Sequence, residues 1–226
     1  MAAKFAVQPH DFERPVLDLS GELLRGAMQS MVAGSEDHGG VERYIDAVKL
    51  KSAMFRQALV ENDVRELDIE TFKGLCTFMA TVRRRVSAWL NEDRFDELRD
   101  LIVELFDESD HIDNRVGRFC DAFPQDKKHR WVRDLAAELL HNADPERVPM
   151  MNRWIWDAKA NTGVIREIWH ADDIDRLTIR VADNYGTYIM LREELSQFLS
   201  DNGVFRDVLY YVDVLCAQVY AQYICE

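Results

Sequence analysis

The chain has 226 residues and a formal net charge of −13 at pH 7, with 47% hydrophobic and 31% charged residues. This balance excludes a disordered chain and suits a soluble protein with one self-sufficient core. The most apolar stretch, 203–225, is interrupted by Arg206, Asp207 and Asp213, and the first ten residues lack the apolar core of a secretory signal, so the sequence predicts a cytoplasmic protein without membrane contact.

In chain order, residues 1–40 read as an N-terminal arm and flexible connection. They contain Pro9, Pro15 and the glycine-rich run from Gly34 to Gly40. Residues 41–226 read as a single helical domain, because nearly every apolar series in them has helical spacing. Helices are predicted over 41–61, 69–90, 93–107, 111–123, 127–141, 187–200 and 204–224. The series Phe72, Leu75, Cys76, Met79, Val82, Val86 in the second is the cleanest. Asp144-Pro145-Glu146 has the order of a helix start, a capping acid before a proline. Leu177-Thr178-Ile179-Arg180-Val181 alternates like a strand, but with no second strand to pair it reads as extended or frayed. The fold class is therefore all-α, a bundle of about eight or nine helices. The final helix is apolar on nearly every side, which predicts that it forms the centre of the bundle and contributes to a homo-oligomer interface.

Between Glu92 and Asp113 lie ten acids against Arg94 and Arg99. Such a face repels phosphates, which argues against nucleic acid and for either a solvated surface or a dock for a basic protein partner. Two basic strips, Arg83-Arg84-Arg85 and Lys127, Lys128, Arg130, Arg133, are small beside these acids. The first is predicted to pair with them across a turn near Asn91. The four cysteines have neither zinc spacing nor a Cys-x-x-Cys pair, and read as reduced.

Residues 149–169 hold three of the five tryptophans, opened by Pro149 and divided by Asn161-Thr162-Gly163. Two short helices meeting at a turn are predicted. Trp and Arg together are what interface hot spots are made of, which selects Met151, Arg153, Trp154 and Trp156 as a partner-binding or architecture-setting group.

Two Glu-x-x-His sequences, Glu108 with His111 and Glu167 with His170, resemble the ligand pairs of four-helix carboxylate-bridged di-iron proteins. The resemblance implies Glu70 and Glu138 as the single carboxylates. Helical projection turns both pairs away from their apolar stripes and towards solvent, so no metal is assigned. The order Arg153-Trp154, Ile168-Trp169, Leu177 to Ile179 and Asp183 resembles helical DNA-glycosylase-like proteins of the helix–hairpin–helix superfamily. That resemblance implies an acid, here Asp183, acting on a flipped base, although the Gly-x-Gly hairpin is missing. The reading that follows is a non-catalytic cytoplasmic accessory subunit or adaptor without a cofactor. Its partner is another protein, and an acidic mimic of nucleic acid is a further alternative.

Overall fold

The computed structural model describes residues 15–90 and 92–225. Among these described residues nine α-helices follow in order: α1 (Gly21–Ser35), α2 (Val41–Arg56), α3 (Ile69–Cys76), α4 (Glu92–Phe106), α5 (Ile112–Asp121), α6 (Trp131–Ala143), α7 (Val164–Glu167), α8 (Tyr185–Asp201) and α9 (Val208–Cys225). Among the described residues there are no strands, only the isolated bridges Leu19–Trp169 and Asp157–Thr162, so the fold is all-α. Helix starts follow local chemistry. Ser20, Asp68 and Asn184 stand at the N-caps of α1, α3 and α8 and accept the amides of Leu23, Thr71 and Thr187, groups that a helix leaves unpaired.

The centre of the molecule is α6. Every residue of it except Arg133 is buried. It packs on α2, α5 and α4, while α9 lies against α8, α1, α2 and α7. The central position predicted for the last helix therefore belongs to α6. Its polar residues Asp134, Glu138, His141 and Asn142 hide it from a hydrophobicity argument, but all four have partners inside the protein. By length and composition α9 is apolar enough to cross a membrane. In the structure its Asp213 is buried against His141 of α6.

Three further expectations need correction. The predicted arm is shorter than residue 40, because α1 puts Leu24, Ala27 and Met31 into the core; residues 1–14 lie outside the described residues. The amide of Ser20 donates to the Ile168 carbonyl and that of His170 to the Asp18 carbonyl, which ties the lead-in of α1 to the end of α7. The helix expected over 69–90 ends at Cys76. Thr77, Phe78 and Met79 donate to carbonyls three residues back, and the Thr77 hydroxyl donates to the Gly74 carbonyl. This tighter winding keeps Met79, Val82 and Val86 buried, so the apolar spacing survives without the α-helix. Residues 145–147 form a turn after α6 rather than a helix, and 177–181 is extended without a partner strand.

Candidate functional site

The tryptophan segment forms turns and the short α7 instead of two helices. Gly163 explains why. Its φ of 118° lies where side chains are rarely found, and a Cβ there would sit 2.7 Å from the Ile155 carbonyl oxygen. With no side chain in the way, the amides of Val164 and Ile165 reach the carbonyls of Trp154 and Ile155, folding the segment back on itself.

Of the four residues selected as partner-binding, two belong to the core. Met151 is 4% exposed and Trp156 0%. The Trp156 indole donates to the Val181 carbonyl, and the Tyr188 hydroxyl donates to the Trp156 carbonyl. Neither side chain presents surface, so both set architecture. Arg153 and Trp154 do reach a surface. The Arg153 guanidinium donates through Nε and Nη2 to one oxygen of Asp157, at 3.0 and 2.6 Å, while its backbone amide donates to Asp134 at 2.8 Å. Burial would raise Asp157, but the bonds from Arg153 and the Ala160 amide outweigh it and hold the carboxyl below its usual range. For Asp134 burial prevails over the Arg153 amide, and its carboxyl sits above that range. Trp154 packs on Tyr220 of α9 at 5.2 Å between ring centres, and Tyr220 on Tyr223 at 6.1 Å.

These residues line an open cleft of about 630 Å³, and four more cations share its lining. Arg84 and Arg85, from the turns after α3, and Lys127 and Arg130, from the turn before α6, all line it. The sequence predicted that Arg83–Arg85 would be neutralised by the acidic segment. Instead three of those acids pair elsewhere, Asp96 with Arg99, Glu108 with Arg147 and Asp110 with Arg118. Arg84, Arg85, Lys127 and Arg130 have no ion pair among the described residues. The Thr81 hydroxyl, buried in the same wall, also lacks a partner among them. Arg84, Arg85, Lys127, Arg130, Tyr220 and Tyr223 were missed as site residues, because each strip looks minor alone.

The residues suggested by the two resemblances do not assemble. Glu70 pairs with Lys73 at the surface, Glu138 with Lys51 in the interior, and Glu108 with Arg147. The ring of His111 accepts the Asp113 amide, while His170 is exposed. No group of three or more potential ligands among the described residues is placed to share a metal ion. Asp183 is held by Arg133 through both its carboxylate and its carbonyl, with the Tyr188 hydroxyl accepting a third bond from the same guanidinium. Burial pushes the Cys76 thiol up to about 12 and the Cys120 thiol to about 11, far from a reactive thiolate. Compared with protein-family models, curated proteins and solved structures, the chain matches none.

Proposed function

We propose that the protein is a non-catalytic binding module and that the Trp154 cleft holds an anionic ligand with a flat ring, of the nucleotide class. One observation carries this reading. In a chain of net charge −13, four cations without an ion pair among the described residues converge with a partly exposed aromatic ladder on one cleft. Like charges brought together raise the energy of the empty protein, and an anionic occupant relieves it. Arginine forks suit phosphate oxygens, and indole and phenol rings suit a stacked base. The volume lies within the range of about 300–1,000 Å³ typical of small-ligand sites. The net negative charge does not prevent this, since acids more than about 8 Å away are largely screened at physiological salt. The two carboxylates of the lining are engaged by Arg153, so the cleft offers recognition groups rather than a free base.

Calorimetric titration with ATP, using inorganic triphosphate as the ring-free control, tests the proposal. ATP is expected to bind in a salt-sensitive manner. Arg130→Ala should weaken both ligands about tenfold, which is about 1.4 kcal/mol, while Trp154→Ala should weaken ATP alone. Failure of ATP to bind at millimolar concentration, or indifference to both substitutions, overturns the reading.

A second reading, a dock for a basic protein partner, is favoured by α4. Glu97, Asp100 and Glu104 are exposed along it, without an ion pair among the described residues. Loss of a co-purifying basic protein on charge reversal of these three would support it.

A further inference from the structure

A second cleft, of about 660 Å³ and sharing no residue with the first, opens beside α5. Its floor includes Arg115, which is only 8% exposed. The Arg115 Nη1 donates to the Leu105 carbonyl at 2.9 Å, and its buried Nε has no partner among the described residues. No carboxylate among the described residues forms an ion pair with this guanidinium. Glu108, the acid that bears on it most, is taken by Arg147. Asp107, Glu108 and Asp110 act on Arg115 only from a distance, and a buried guanidinium that no carboxylate of the described residues touches directly is a costly arrangement in a protein interior. Its retention here, facing a cleft, points to a ligand that supplies the missing charge.

The surroundings narrow the class. Leu59, Val60 and Phe106 contribute apolar wall. Of the lining cations, Arg65 pairs with Asp63 and Arg147 with Glu108, which leaves Arg56 and Arg115 to balance Glu61 and Glu146, exposed acids without an ion pair among the described residues. A phosphate-like dianion would meet these acids. A carboxylate that carries its own ammonium would not, since the carboxylate can meet Arg115 while the ammonium meets the acids. The backbone beside this cleft is also irregular. Residues 57–61 wind as a π-helix and Asp63 holds a φ of 59°, features that concentrate at functional sites. We propose that the Arg115 cleft binds a small apolar zwitterion of the α-amino-acid class, its carboxylate on Arg115 and its ammonium at Glu61 and Glu146.

The test is calorimetric and thermal-shift titration of the full chain with L-leucine, isovalerate (no ammonium), isoamylamine (no carboxylate) and inorganic phosphate. Leucine is expected to bind and raise Tm, isovalerate to bind at least tenfold more weakly, and the amine and phosphate not at all. Arg115→Gln should abolish the leucine response and leave the unliganded protein at least as stable, a combination that a purely structural arginine would not give. Should Arg115→Gln fail to fold, the double variant Glu61→Gln, Glu146→Gln keeps the floor intact and should weaken leucine several-fold while sparing isovalerate. The proposal is overturned if leucine does not bind, if phosphate or isovalerate binds as tightly, or if leucine binds Arg115→Gln or the double variant as well as the parent.

Discussion

The imidazole of His141 lies between two acceptors in the core, its Nε2 3.0 Å from an Asp213 carboxylate oxygen and its Nδ1 2.8 Å from the Val148 carbonyl. The carbonyl only accepts, so Nδ1 donates to it, and protonation of the ring lets Nε2 donate to the carboxylate as well. Burial opposes this charge, but Asp213 and the Val148 carbonyl outweigh it and the net pKa lies above the ordinary 6.5. The sign of the linkage follows. The pair's contribution is fully present below pH 6.5 and is lost as pH rises through the higher folded value. Urea denaturation from pH 6 upward should show stability falling, and His141→Gln, which cannot titrate, should flatten that dependence. A steeper fall in the variant would contradict the assignment.

Lys51 and Lys49, two residues apart on α2, should behave very differently. Lys51 meets the buried Glu138 at 2.6 Å, where Asn142 and Asn152 also donate, whereas Lys49 meets Asp207 at the surface. Lys51→Met strands a carboxylate in the interior and should cost about 3–5 kcal/mol. Lys49→Met should cost no more than about 1 kcal/mol. Chemical denaturation of the two variants side by side checks the contrast.

The tryptophans separate in the same way. Trp156→Ala empties a fully buried site and removes the bond to the Val181 carbonyl, with an expected loss of about 3–5 kcal/mol. Trp154 is half-buried at the cleft, so Trp154→Ala should leave a folded protein whose main deficit is in ligand binding. Equal losses of Tm in the two would show that the cleft wall is part of the core.

Gly163→Ala should be among the most damaging small changes. The added methyl would meet two backbone carbonyls within 3 Å at a φ that alanine avoids, so the fold-back beneath Trp154 must open. We expect a loss of at least about 2 kcal/mol by denaturation, with a shifted tryptophan emission spectrum. An unchanged spectrum would show that the segment absorbs the methyl elsewhere.

Much of the fold was legible because periodicity reports burial directly. Val41, Ile45 and Phe55 on α2 and Leu98, Ile102 and Leu105 on α4 are core residues at helical spacing. That signal misled at Met79 and Val82, since turns of tighter pitch can bury the same side of the chain. It found the helix over 127–141 but not its central place, because Glu138 and His141 look like surface until Lys51 and Asp213 are known to meet them. The cleft was illegible for another reason. Arg85, Arg130, Trp154 and Tyr223 come from four distant parts of the chain. Sequence neighbourhood suggested that the arginines would pair with the nearest acids, and only tertiary structure shows that they do not.

The placement of α1 against α9 has a consequence for how the protein is made. Gln222 of α9 donates to the Ser30 hydroxyl of α1 across 192 positions of chain. α1 thus finds its main resting place on a helix synthesised far later. While the ribosome works through the intervening residues, the face of α1 that rests on α9 has no seat, and the nascent chain must carry it uncovered. The α1–α9 contact can close only after α9 has left the exit tunnel.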